Sequence, residues 1–238
     1  MVPEWQRGIV KRVVQATPNT RRYWIELPDI ESFIFKPGQF VTLDLPIHEQ
    51  KNRRWRSYSI ASMPDGSNVI ELIIVLVEGG VATHYFFEEI KDGSELIIRG
   101  PHGIFGLPVE IDRDIIMICT GTGIAPFRSM LHYINIYNKP HKNLHLIFGT
   151  RKQEDLLYED EMRKLETELT GFHYYPTLSR EDWPGLKGYV HSVYEELCRD
   201  KPSIDFMLCG WRGMIDEAKR RIQELGYDRK SIHYEVYG

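Results

Sequence analysis

The apolar positions follow two rhythms along the chain. Up to about residue 105 they fall in short runs rich in Val, Ile, Tyr and Thr, at 8–17, 21–28, 39–46, 57–62, 69–77 and 95–101. Turn-forming PNT, KPG, PDG and DGS separate these runs, which therefore read as strands. One helix is predicted over 82–90, between Gly79-Gly80 and Asp92-Gly93. Six short strands and one helix predict an antiparallel six-stranded barrel with a capping helix.

From about residue 112 strands and helices alternate. Strands are predicted at 114–120, 143–149, 172–179, 204–210 and 231–237, and helices at 126–137, 158–169, 190–197 and 213–226. Five strands interleaved with four helices predict a parallel, doubly wound sheet. The stretch 106–112, GLPVEID, is the expected boundary, dividing the chain into domains 1–108 and 109–238.

Composition narrows the function classes. The chain has 238 residues, 42% hydrophobic and 27% charged, so it is long and apolar enough for packed cores. Its 30 Lys and Arg against 34 Asp and Glu give a net charge of −4, without the basic excess of a nucleic-acid or membrane-surface binder. Three widely spaced cysteines, Cys119, Cys198 and Cys209, make no disulfide framework and point to a reducing compartment. They also fall short of the four thiolates of an iron–sulfur cluster, and no other metal site is expected. The charged N-terminus lacks a signal-peptide core, and the run at 72–77 is too short to span a bilayer. A cytoplasmic location without membrane insertion is expected.

The first candidate chemistry is CTGTGIAPF, 119–127, between a predicted strand and a predicted helix. Gly121 and Gly123 permit a tight turn around Thr122 and close backbone approach to a phosphate, and Pro126 suits a first helical turn. A pyrophosphate would rest on the helix N-terminus. The third glycine of the usual dinucleotide fingerprint is missing, so a plain β–α turn competes with this reading. Where a classical NAD site carries an acid on the ribose 2′-OH, this chain has Thr150-Arg151. Ser179, Arg180, Lys187 and Tyr189 follow at the next strand end, a set suited to a 2′-phosphate and an adenine, though each is also an ordinary surface residue.

RSYSIAS (56–62), GGVAT (79–83), GPHGIF (100–105), GTGIAPF (121–127), CGWRGM (209–214) and YEVY (234–237) occur in order over nearly the whole chain. Together they resemble the ferredoxin–NADP⁺ reductase superfamily, whose fold is a flavin-binding barrel followed by a nucleotide-binding α/β domain. The resemblance implies FAD contacts at Arg56 (pyrophosphate), Tyr58 (isoalloxazine), Ser59 (near flavin N5), Ile60 and the second phosphate segment Gly80, Val81, Ala82 and Thr83. It implies NADP contacts at Gly121, Thr122, Gly123, Pro126, Arg151, Ser179, Arg180, Lys187, Tyr189, Cys209, Gly210 and Met214. Cys209 would lie beside nicotinamide C4, and Glu235 and Tyr237 would complete the catalytic set with Ser59, Tyr237 covering the flavin. Cys119 and Cys198 are assigned to packing.

The implied function is electron transfer between NADPH and a one-electron carrier, by hydride transfer between nicotinamide C4 and flavin N5. No built-in iron–sulfur cluster motif is present, so an acidic carrier such as ferredoxin or flavodoxin is expected. Lys51, Arg53 and Arg54, just before the flavin motif, suit its docking. A reductase component for a monooxygenase, cytochrome, free flavin or ferric chelate stays open. So does a non-catalytic flavoprotein subunit, and a plain Rossmann-type module is disfavoured by RSYS in the barrel half.

Overall fold

A computed structural model describes residues 3–237. Contacts divide the chain into two compact units, Met1–Gly106 with Arg128–Tyr133, and Leu107–Phe127 with Ile134–Gly238.

The first unit holds strands β1 (Trp5–Thr17), β2 (Thr20–Glu26), β3 (Phe40–Asp44), β4 (Trp55–Ser59), β5 (Val69–Val75) and β6 (Glu95–His102), with helix α1 (Val81–Glu88) between the last two. All pairings are antiparallel, in the order β4-β3-β6-β1-β2-β5. Just past β4, Ala61 N–H donates to Glu71 O of β5 at 2.8 Å, so the two edge strands of the sheet meet. The interior is filled by Val10, Tyr23, Ile25, Val41, Leu43, Ile70, Leu72 and Ile98, with Phe86 of α1 buried among them. The six predicted strands and the helix are all present, within a few residues of their predicted ends.

The second unit holds β7 (Asp114–Thr120), α2 (Ile124–Ile136), β8 (Leu144–Thr150), α3 (Glu159–Glu168), β9 (Phe172–Leu178), β10 (Leu186–Lys187), α4 (His191–Leu197), β11 (Ile204–Trp211), α5 (Arg212–Glu224) and β12 (Ile232–Tyr237). The middle of α2, Arg128–Tyr133, is grouped with the first unit. The sheet is parallel throughout, in the order β10-β9-β8-β7-β11-β12. The five predicted strands are joined by a sixth, β10, which is only two residues long and carries no periodicity to read. One face buries Ile116, Ile118, Ile147, Phe206 and Leu208 with Val193 and Tyr194 of α4 and Ile215, Ala218 and Ile222 of α5.

Strand order decides where a ligand can enter this unit. From β7 the chain builds outward through β8, β9 and β10 on one side, then returns to add β11 and β12 on the other. The helices leaving β7 and β11 therefore diverge, opening a crevice at the C-terminal ends of these two neighbouring strands. Among the described residues no helix is long and apolar enough to cross a membrane.

Candidate functional site

Two glycine-bearing turns meet at that crevice. Gly121–Gly123 forms a 3-10 turn that runs directly into α2, so the helix begins at Ile124, two residues before Pro126. Pro126 remains in the first turn, where a missing N–H is tolerated. A Cβ on Gly123 would lie 2.4 Å from the carbonyl oxygen of Cys209 and 3.0 Å from Gly210 Cα. Gly210 has φ +137°, and a Cβ there would lie 2.6 Å from Thr120 Oγ1. Both glycines are therefore required by close backbone approach. Gly121, at φ +53° with nothing within 4 Å of a Cβ, is required by conformation and borders open space. The turn already takes up the Ile124 N–H, on the carbonyls of Gly121 and Thr122, and the start of the helical run carries the positive end of the helix dipole.

Cys209 is fully buried and lies in register between Cys119 of β7 and Glu235 of β12. Burial pushes its thiol well above the ordinary value, the charge of Glu235 acts in the same direction, and the nearby Tyr237 hydroxyl opposes both. The group is thus a neutral thiol at the pH of the cell. Glu235 and Tyr237 are two residues apart on β12 and share a face, with Tyr237 in register with Trp211. Met214, in the first turn of α5, packs on the buried face of the sheet.

The other strand ends bring the remaining nucleotide candidates together. Ser179 N–H donates to Thr150 O at 3.0 Å and Arg180 N–H to Arg151 O at 2.9 Å. Lys187 of β10 is in register with Leu178, so Arg151, Ser179, Arg180 and Lys187 share one end of the sheet. Tyr189 follows, 73% exposed, with its ring open to stacking. Two details were not legible in advance. Lys187 pairs with Asp182, and Glu181 accepts from Gln153 N–H at 2.7 Å, so carboxylates flank this cationic end. Ser179 Oγ also donates to Thr150 O, at 3.2 Å.

The first unit gathers the flavin candidates around Phe86. Arg56 and Tyr58 alternate on one face of β4, opposite Leu43 and Val41 of β3. The Tyr58 ring meets Phe86 edge-on, with centroids 5.6 Å apart. Burial pushes its phenol up, and the Arg56 charge only partly opposes this. Arg56 Nη1 donates to Arg53 O at 3.0 Å and to Trp55 O at 2.9 Å, folding the guanidinium against the start of its own strand. Ser59 is buried, and Ile60 N–H is fixed to Gln39 O at 3.0 Å.

Phe86 belongs to α1, whose first turn is the second phosphate candidate. Gly80 caps this helix without a side-chain hydrogen bond, which leaves the first backbone N–H groups for an anion. A Cβ on Gly80 would lie 2.7 Å from Thr83 Oγ1. Thr83 Oγ1 accepts from Val77 N–H at 3.1 Å and lies 2.9 Å from Gly80 O, to which it donates. A hydroxyl has one proton, so Thr83 fixes the loop, and a phosphate here would be held through backbone N–H groups of Val81, Ala82 and Thr83.

One residue of the crevice escaped the sequence reading. Thr120, at the tip of β7, has a buried Oγ1 without a hydrogen-bond partner, set against Gly210. Its only signal is its place immediately before the glycine turn. Buried orphan hydroxyls are uncommon, and this one fits a site completed by a polar ligand. The shaped backbone at Gly123 and Gly210 and the uncapped start of α1 fit dinucleotides in the same sense.

Comparison with known proteins agrees with this geometry. Residues 8–106 match the oxidoreductase FAD-binding domain and residues 117–220 the oxidoreductase NAD-binding domain. The chain is 34% identical over 230 residues to ferredoxin–NADP reductase B of Sorangium cellulosum, covering 93% of each chain. It is 32% identical to the anthranilate 1,2-dioxygenase electron transfer component of Acinetobacter baylyi, over 82% of this chain but only 56% of that relative. The structure of a ferredoxin NADP⁺ reductase from Neisseria gonorrhoeae with bound FAD and NADP superposes with a TM-score of 0.82 at 26% identity, covering 98% of both chains. The chain belongs to the ferredoxin–NADP⁺ reductase superfamily and is an FAD- and NAD(P)-binding oxidoreductase.

Proposed function

We propose that this protein carries electrons between NADPH and a separate one-electron carrier, ferredoxin or flavodoxin. Residues 1–108 hold FAD and residues 109–238 hold the nicotinamide nucleotide. The bound flavin supplies the conversion between a two-electron hydride and single electrons. The chain's own residues do the rest. Tyr58 offers a neutral aromatic face, Ser59 and Ile60 line the reacting edge, and Arg56 with the start of α1 neutralises the pyrophosphate. Cys209 and Gly210 set the depth to which the nicotinamide can enter the crevice, and Glu235 and Tyr237 border it. Closing this region to water and fixing the approach distance is the protein's contribution to rate.

The observation that carries the reading is the close approach of the Gly121–Gly123 and Cys209–Gly210 turns at the switch point of the parallel sheet, where a dinucleotide fits. NADPH is the proposed nucleotide because Arg151, Arg180 and Lys187 share the strand ends where an NAD enzyme carries an acid. For the carrier, Lys51 and Arg53 are exposed and basic, which suits an acidic partner. They lie in the 3-10 turn just before β4, whose run from Trp55 to Ser59 spans roughly 13 Å, within the reach of an ordinary protein interface. A cytoplasmic location goes with this reading.

The test is a visible spectrum of the purified protein, followed by anaerobic titration with NADPH and NADH and by turnover with ferredoxin and flavodoxin. A yellow protein bleached by NADPH that then reduces either carrier supports the proposal. A colourless protein that takes up no FAD refutes it. The second reading, a reductase component of an oxygenase, is favoured by the 32% identity to the anthranilate dioxygenase component. Reduction of an oxygenase partner with no turnover of free carriers would select it.

A further inference from the structure

Glu71 is a carboxylate in the middle of an apolar strand, β5, and it is only 2% exposed. Two arginines meet it from different elements. Arg22 Nε of β2 lies 2.6 Å from Glu71 Oε1, and Arg128 Nη1 of α2 lies 3.1 Å from Oε2. The same Arg128 nitrogen donates to the carbonyl of Ala61 at 2.8 Å. The backbone of Glu71 holds this stretch as well. Its carbonyl accepts from Ala61 N–H at 2.8 Å, and its N–H donates to Ser62 Oγ at 3.0 Å.

Ala61 and Ser62 directly follow Ser59 and Ile60. After Ser59 the chain leaves β4 and no ladder partner dictates its path. Its course is set by Ile60 N–H on Gln39 O, by Ala61 held through both N–H and C=O, and by Ser62 held through its hydroxyl. Of these, the bond to the Ala61 carbonyl comes from a charged side chain, and a buried carboxylate aims that side chain. A carboxylate buried this fully adds little to stability even when paired, since well-packed apolar side chains of similar volume do as well or better. What the pair adds is the position of the segment it holds.

We infer that Arg128 and Glu71 are positioning residues for the flavin edge: together they clamp the Ala61 carbonyl and thereby fix Ser59 and Ile60 against the ring. This rests on the FAD reading of Tyr58, Ser59 and Ile60. Neither residue touches the cofactor; each acts through the peptide segment.

Arg128 is the residue to vary, because Glu71 keeps Arg22 as a partner when Arg128 is removed. Arg128→Met retains an apolar stem and deletes the charge and the donor. Arg128→Lys restores an ammonium that can serve both the Ala61 carbonyl and Glu71 from one nitrogen. For each variant, apoprotein is titrated with FAD, the absorption band shape of the bound flavin is recorded, and anaerobic stopped-flow gives the limiting rate of reduction and the NADPH dissociation constant. Circular dichroism and thermal melting of the apoprotein report folding independently.

Arg128→Met is expected to raise the FAD dissociation constant, alter the band shape and lower the limiting rate at least ~10-fold, the low end for a lost hydrogen bond to a charged group. The NADPH dissociation constant should stay within about twofold. Arg128→Lys should recover most of the rate and the wild-type band shape. Wild-type FAD affinity, spectrum and rate in a folded Arg128→Met protein overturn the inference. If Arg128→Met does not fold, the lysine variant decides: a changed band shape and limiting rate at an unchanged melting temperature supports the inference, and a lowered melting temperature with a wild-type band shape and rate overturns it. Equal impairment of both variants, with no recovery by lysine, overturns it in favour of a purely structural pair. If wild-type apoprotein takes up no FAD, the flavin reading itself falls and the clamp falls with it.

Discussion

Gly123→Ala and Gly121→Ala should damage the nucleotide site in opposite ways, although the residues sit two apart in one turn. A Cβ on Gly123 would lie 2.4 Å from Cys209 O and 2.7 Å from Cys209 C, against an ordinary contact of at least 3.4 Å. The atoms it meets are backbone at the tip of an interior strand, so the turn must retreat by 3.4 − 2.4 = 1.0 Å. Forcing a methyl into such a contact costs about 1–3 kcal/mol. The functional cost is larger, because a misplacement of ~1 Å in a reacting geometry lowers a rate by about 10²-fold. Gly121 faces no atom within 4 Å, so its alanine variant shifts nothing and carries only the left-handed strain of φ +53°. That strain is about 1–2 kcal/mol. Its methyl would project into the space proposed for the pyrophosphate. Stopped-flow reduction of the flavin across a range of NADPH concentrations separates the two. Gly123→Ala should lower the limiting rate ~100-fold with a smaller change in dissociation constant, and Gly121→Ala should chiefly weaken binding. A folded Gly123→Ala protein with a wild-type limiting rate would refute the close-approach argument.

Arg56→Ala should raise the FAD dissociation constant by roughly 10- to 100-fold, the range for a charge-assisted hydrogen bond, as read by titrating apoprotein; unchanged affinity would remove Arg56 from the pyrophosphate site. Arg180→Ala should lower kcat/KM for NADPH and leave that for NADH within about twofold; an unaltered preference would misplace the 2′-phosphate. For carrier docking, Lys51→Glu with Arg53→Glu is the useful pair, since Arg54 is tied to Asp44 at 2.7 Å and its loss would disturb the loop. Turnover with an acidic carrier should fall while dye reduction holds, and the difference should shrink with salt over a screening length of about 8 Å; equal loss with dyes would indicate a damaged flavin site. Burial and the neighbouring His173 hold the His145 imidazole below its ordinary value. The unfolded chain therefore binds more protons, and the stability associated with neutral His145 is present above about pH 6.5 and lost as pH falls through the lower folded value. Melting temperature should drop over that window less in His145→Gln than in wild type, with a residual drop from His191, which is lowered by burial and Arg221; identical pH profiles would show that His145 is not the cause.

The secondary structure was legible wherever a run was long enough to show its rhythm. DIIMICT was expected as a strand at 114–120 and is β7, Asp114–Thr120. β10 was not legible, because two residues between Gly185 and Gly188 have no period. The start of α2 was read two residues late, since Pro126 marks a first turn without saying which position in it. Within the candidate site, residue types were legible and commitments were not. Thr83 reads as a donor, yet its one proton goes to Gly80 O. Lys187 reads as a free cation, yet Asp182 five residues earlier pairs with it. Glu71 did leave a trace, a lone acid in VIELIIVLV, but its partner Arg128 lies 57 positions away and no local pattern connects them.

The chemistry of Cys209 likewise depends on its place in the sheet. A cysteine is in general either a small buried hydrophobe or a reactive thiol. Its register next to Glu235 and its complete burial remove the second option, because both push the thiol upward and keep it neutral. A neutral thiol is no nucleophile, so whatever Cys209 does at the crevice it does by size, polarizability and placement. Gly123 then acquires its meaning from Cys209, since it is the peptide of Cys209 that a side chain at 123 would strike. The two positions are 86 residues apart in sequence and form a single surface at the switch point. A substitution at either should therefore be judged by the displacement it imposes on the other, and not by the chemistry of the residue introduced.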